Sequence, residues 1–134
     1  MKSEQEIKVT LPISILSGKK KIRKYHLNLN QYRNWHFQVS NNIKKQFKQE
    51  VKGFLDFSFY GKIQIEYTYF APDARVRDLM NYITVVDKFF QDALVEEGCI
   101  DSDDTNTVVK IISIYGGVDR SNPRMEARIK NYDV

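Results

Sequence analysis

The chain has 134 residues, 42% apolar and 13% aromatic, the make-up of one globular domain spanning residues 1–134 and too little chain for two. No stretch approaches the roughly 18 consecutive apolar residues of a membrane span, and the charged residues 1–8 lack the apolar run of a signal peptide, so the expectation is a cytoplasmic protein with no membrane partner. The net charge of +4 conceals a division: residues 1–55 carry twelve Lys or Arg against three acids, and residues 56–134 carry nine against fourteen. Clustered cations suit phosphates, and carboxylates suit hard divalent cations, although ordinary solvated faces produce the same asymmetry.

Residues 7–15 read as a first strand, with Pro12 marking an edge position or an early end. Gly18 opens the run Lys19, Lys20, Lys21, Ile22, Arg23, Lys24, either a mobile loop or the lead into a short strand through Tyr25 and Leu27. Asn30 is the expected N-cap of a helix over residues 31–55, because its side-chain oxygen can accept an orphan amide of the first turn. Along that helix Trp35, Val39, Ile43, Phe47 and Val51 recur every fourth residue as an apolar stripe, and Lys44, Lys48 and Lys52 form a cationic one. A helix of this kind can lie along a nucleic-acid backbone, and a solvated helix face has the same pattern.

Gly61 then separates an aromatic stretch from residues 62–70, where Ile63, Ile65, Tyr67 and Tyr69 alternate with Gln64, Glu66 and Thr68 as in a half-buried strand. A loop bearing Arg75 and Arg77 leads to Asp78 at the start of a second helix, where a carboxylate is stabilised by the helix dipole whether or not it has another role. At about 100° per residue, Leu79, Tyr82, Ile83, Val86, Phe89, Phe90, Ala93 and Leu94 share one arc of that helix. Asp78, Asn81, Val85, Lys88 and Asp92 share another.

Beyond Gly98 and Cys99, a lone thiol that reads as a packed small residue, come Asp101, Asp103 and Asp104. Neighbouring acids repel unless a cation or solvent compensates them, so this loop beside a carboxylate-bearing helix is a candidate divalent-metal cradle. It is not a calcium helix-loop-helix: Asn106 stands where that loop needs glycine and Ile112 where it needs glutamate. Residues 107–115 read as a strand, Gly116-Gly117 as a turn, and residues 126–132 as a last strand antiparallel to it. The expected fold is α+β, a mixed or antiparallel sheet of about four strands with two main helices packed on it. No phosphate-cradling glycine loop, zinc-binding histidine pair or serine elbow is present, and His26 and His36 read as packing or surface residues.

The stretch Pro72-Asp73-Ala74-Arg75-Val76-Arg77-Asp78-Leu79-Met80-Asn81, the helix end Asp87-Lys88-Phe89-Phe90-Gln91-Asp92-Ala93-Leu94 and the pair Asp103-Asp104 before a strand together resemble the RusA-type Holliday junction resolvases of phages and prophages. The likeness is clear over residues 60–115 and weaker in residues 28–52 and 116–124. It implies a homodimeric, magnesium-dependent endodeoxyribonuclease that binds branched DNA, cuts two opposing strands by phosphodiester hydrolysis in recombination and repair, and works in a bacterial host cell. It implies one or two Mg2+ ions, replaceable by Mn2+, and no small-molecule cofactor. Asp78 matches the first acid of the family's Asp-Leu-Asp-Asn motif, Asn81 its last position, and Asp103 with Asp104 the later acidic pair. Met80 replaces the motif's second acid, for which Asp87 is a candidate substitute. The helix is about four residues longer than in the family, close to one turn, and counting back from Asp92 puts Lys88 in the place of the catalytic lysine. On this resemblance Asp78, Asp103, Asp104 and Asp87 would hold metal, Lys88 would stabilise the transition state, and Asn81 and Asp92 would support them. Lys19, Lys20, Lys21, Arg23, Lys24, Lys44, Lys48, Lys52, Arg75 and Arg77 would contact DNA. The alternative is a junction-binding module of the same fold that has lost its chemistry.

Overall fold

The computed structural model describes residues 5–132; Lys2 and Glu4 of the basic half lie outside them. Strand β1 (Glu6–Leu11) stops before Pro12, which has no amide to donate to a ladder. The chain resumes as β2 (Ser14–Ser17), which forms a separate antiparallel hairpin with β3 (Arg23–His26). The basic run thus splits between the hairpin's tip and its second strand. Next come the short helix α1 (Leu29–Tyr32), helix α2 (Phe37–Val51), a 3-10 turn (Lys52–Phe54), strand β4 (Ile63–Ala71), helix α3 (Leu79–Glu96), strand β5 (Val108–Val118) and strand β6 (Arg124–Asn131).

The single helix expected over residues 31–55 is two. Asn28, not Asn30, caps α1 by accepting from the Gln31 amide at 2.9 Å, and His36 caps α2 through Nδ1. The break follows from Trp35, whose indole stands edge-on to both Tyr25 (5.8 Å) and Tyr32 (5.7 Å). Turning the chain there buries a large aromatic surface that a continuous helix would direct elsewhere. The rest of the stripe behaves as read: Ile43, Phe47 and Val51 are buried, with Val39 half-buried.

The main sheet has the order β1-β6-β4-β5. β6 is antiparallel to both neighbours, β1 and β4, while β4 and β5 are parallel and joined by α3, a β-α-β crossover. The last strand runs antiparallel to β5 as expected but is not hydrogen-bonded to it; it lies two places away, between β4 and β1. Alternation fixes the faces. Ile63, Ile65, Tyr67, Tyr69 and Ala71 point with Met125, Ala127 and Ile129 into the core, under the buried side of α3, while Glu66, Glu126 and Arg128 form an ion-paired open face. Gly116 and Gly117 lie inside β5 and make no turn. A Cβ on Gly116 would stand 2.7 Å from the Phe70 ring and 2.8 Å from Thr68, so the glycine lets β4 side chains lie across the edge strand at a register shift between Tyr69 and Phe70. Among the described residues no helix is long and apolar enough to cross a membrane.

Candidate functional site

Asp78 is the N-cap of α3, its carboxylate accepting from the Met80 amide at 3.2 Å. It sits beyond the carboxyl ends of β4 and β5, where folds with parallel strands commonly place ligands. A cavity of about 330 Å³ opens beside it, lined by Tyr69, Arg75, Arg77, Leu79 and Tyr115. Arg77 is largely buried, donating to Asp73 Oδ1 at 2.6 Å and to the Asp73 and Arg75 carbonyls at 3.0 Å. The Arg75 amide and then the Arg77 guanidinium hold the Asp73 carboxyl below its ordinary range. Tyr82 stacks on Tyr69 (4.9 Å, 21°), and Tyr115 approaches from β5 at 6.3 Å. Burial pushes the Tyr69 hydroxyl up to about 12. Sequence pattern places Tyr69 and Tyr82 in the core alone and gives no signal at Tyr115. Nor does it flag Arg124, whose guanidinium lies 4.1 Å over the Phe70 ring while pairing with Asp119 at 2.8 Å. The parallel β4–β5 register sets Tyr115 opposite Tyr69, and the antiparallel β4–β6 register sets Arg124 opposite Phe70; neither register is visible in a pattern.

Asp103 and Asp104 stand at the opposite end. The Asp104 carboxylate accepts from Ser102 Oγ (2.8 Å) and the Asn106 amide (2.9 Å), and its carbonyl accepts the Val108 amide (2.9 Å) that opens β5. Asp101 and Asp103 are exposed. The register shows the separation: Val108 lies opposite Ile63 at one end of β4, and Val118 opposite Ala71 at the other. α3, with 18 residues and hence about 27 Å long, runs between the two acidic ends. Within one chain Asp78 does not meet Asp103 or Asp104, and among the described residues no three of His, Cys, Asp and Glu come together as a metal-holding group.

The remaining α3 residues also part company. Lys88 is ten residues past Asp78, about 15 Å along the helix, and its ammonium lies 6.0 Å from the Tyr32 ring. Val85, on the arc expected to be polar, is buried against the core. Asn81, half-buried, donates its backbone N–H to the Asp78 carbonyl at 3.1 Å. Asp92 pairs with Lys44 at 2.8 Å. Asp87 turns under the helix, accepting from the Tyr67 hydroxyl and from Gln91 Nε2 (2.7 Å), and burial raises its carboxyl above the ordinary value. A carboxylate held there does not share a centre with Asp78.

The cations divide in the same way. Lys44 answers Asp92, and Lys48 answers Glu96 and Glu97, across a groove of about 460 Å³ between α2 and α3. The Glu96 carboxylate holds the Lys48 ammonium above its ordinary value. Among the described residues Lys19, Lys20, Lys21, Arg23, Lys24 and Lys52 make no ion pair, so the hairpin carries the densest uncompensated charge.

The two sheet edges differ. β1 is short and charged, with Lys8 reaching Glu126 and Glu6 reaching Arg128. β5 has eleven residues and one charge, Lys110; Ile111, Ile114 and Val118 are exposed, Tyr115 is 51% exposed, and among the described residues it pairs with β4 alone. An apolar edge of that length is a template for another strand. No protein-family model matches the chain, and no curated protein matches it.

Proposed function

We propose that this chain is a magnesium-dependent, structure-selective endodeoxyribonuclease that resolves four-way DNA junctions as a homodimer, each active site being shared between two chains. The observation that carries the reading is the outer edge of β5, which among the described residues pairs with β4 alone. Two copies of β5 running antiparallel about a two-fold axis normal to the sheet oppose Val108 of one chain to Val118 of the other, Ile111 to Tyr115 and Ile112 to Ile114, with Ser113 on the axis. Both helical layers then lie on one face. Each Asp103-Asp104 loop would then stand at the same end of the joined sheet as the other chain's Asp78, two strand spacings or about 10 Å away across the pair, in place of the length of α3 that separates them within one chain.

Asp78, Asp103 and Asp104 offer oxygen donors only, which suits Mg2+ and not a soft metal. When bound, Mg2+ supplies an acidified water and neutralises charge on the scissile phosphate. The chain's own residues bind and orient. Arg75, exposed and paired with Asp73 only at 3.5 Å, would hold a phosphate oxygen; Arg77 is committed to Asp73 and keeps the loop rigid; the Asn81 backbone amide closes the first turn of α3 on the Asp78 carbonyl. Lys88 faces α1 and takes no part in this assignment.

Mixing two inactive variants tests the reading. Asp78→Asn and Asp104→Asn each abolish cleavage of a synthetic junction, yet a mixed dimer holds one site with both native acids and nicks one strand. Sites confined to single chains would give no activity on mixing, and that outcome overturns the proposal. A second reading, a junction-binding module without chemistry, is favoured by Met80, which is half-exposed where an acid would complete the site. It predicts junction binding with no nick at any Mg2+ concentration.

A further inference from the structure

We infer that the β2–β3 hairpin is an apolar wedge that enters the branch point of a DNA junction while its cations hold the phosphates on either side. The inference rests on branched DNA as the partner and assigns the element that tells a branch from linear duplex. Register places Ile15 opposite Tyr25, and this side of the hairpin is anchored: Ile15 is buried, Tyr25 meets Trp35, and the Leu27 amide bonds the Ile13 carbonyl at 2.9 Å. Leu16 and Lys24 are paired on the outward side. The turn between the strands is closed tightly, since Gly18 has φ 137° and a Cβ there would stand 2.1 Å from the Lys21 carbonyl oxygen. From this rigid root project Leu16, 62% exposed, and Ile22, 68% exposed, amid Lys19, Lys20, Lys21, Arg23 and Lys24.

A merely solvated basic loop gains nothing from two large aliphatic side chains in water. Side chains of this kind pushed between base steps are how proteins unstack and kink nucleic acid, and the cost is least where stacking is already interrupted, as at a branch point. The surroundings favour nucleic acid over an anionic membrane, the other partner for a basic and apolar tip. Trp35, which braces Tyr25, leads directly into His36 and an exposed Phe37 whose rings lie 4.6 Å apart at 34°, a platform on which a base can stack.

The test uses the full chain and a four-way junction carrying 2-aminopurine at the branch point, without divalent metal. Wild-type protein should raise the fluorescence several-fold and bind the junction at least tenfold more tightly than linear duplex of the same sequence. Leu16→Ser with Ile22→Ser, both solvent-facing and remote from the core, should keep duplex affinity and the melting curve but lose the rise and the preference. Lys19→Gln, Lys20→Gln and Lys21→Gln together should weaken both DNAs alike and lower the slope of log affinity against log salt by about 2–3. The wedge is refuted if the Leu16 and Ile22 variant keeps both signals, if wild type shows no junction preference, or if wild type prefers phosphatidylserine vesicles to the junction at equal salt. A bound and unstacked junction that magnesium fails to cleave leaves the wedge intact and removes the nuclease.

Discussion

Replacing Asp87 separates a carboxylate kept for structure from one kept for metal. The Tyr67 hydroxyl is fully buried and has Asp87 as its acceptor, with Gln91 donating to the same oxygen. Asp87→Ala leaves that hydroxyl unsatisfied, which costs about 1–3 kcal/mol. Asp87→Asn keeps an oxygen in place for both donors and removes only the charge. Burial raises the folded-state carboxyl of Asp87 above its unfolded value of 3.8, so the folded protein holds this proton more tightly than the unfolded chain does. The stability that goes with the bound proton is complete below the unfolded value and is lost as pH rises through the folded one. Urea unfolding should therefore find Asp87→Asn close to wild type at pH 3.5 and equal to or more stable than wild type at pH 7, with junction cleavage unchanged. A variant that loses stability relative to wild type as pH rises would mean that the ionised form is the favoured one, and a loss of cleavage would return Asp87 to the list of metal ligands.

Ile114→Lys on the apolar edge sets two like charges near the two-fold axis; it should give a monomer in sedimentation equilibrium, change chain stability by no more than about 0.5 kcal/mol, and abolish cleavage. A cleaving monomer would refute the shared site. Gly116→Val must displace the Phe70 ring from beneath Arg124 and should cost about 1–3 kcal/mol in thermal unfolding, with a neutral result showing that β5 can shift to make room. Lys20→Gln should weaken DNA binding more than Lys44→Gln in titrations at fixed salt, because Lys44 is already neutralised by Asp92; the reverse order would make the α2–α3 groove the DNA track.

Where local periodicity decides, the sequence was readable. The alternation of residues 62–70 and, Val85 excepted, the arc of α3 matched the buried sides, because side-chain direction in a strand or helix follows from spacing. The break at Trp35 was not readable, since it depends on Tyr25 from another element. Strand partnership was misjudged for β6 because pattern carries no information about which edge a strand joins. Gly116-Gly117 misled for a related reason: a glycine pair serves a turn or a close approach, and only the Phe70 ring across the ladder distinguishes them.

The charge asymmetry shows the same limit at the level of the site. Much of the excess positive charge in α2 is spent on acids of α3, so the charge that remains to attract a polyanion is concentrated in a hairpin whose pairing the sequence left open. The acids divide for a geometric reason. A helix placed between two acidic motifs in a crossover that returns a parallel strand must carry them to opposite ends of the sheet, about 27 Å apart for 18 residues. Side chains cannot close that gap, and lengthening the helix by a turn widens it. Antiparallel pairing of a second copy at the crossover's outer strand exchanges the ends, so a motif order of acid, helix, acid pair, exposed apolar strand is itself an argument for two chains per site.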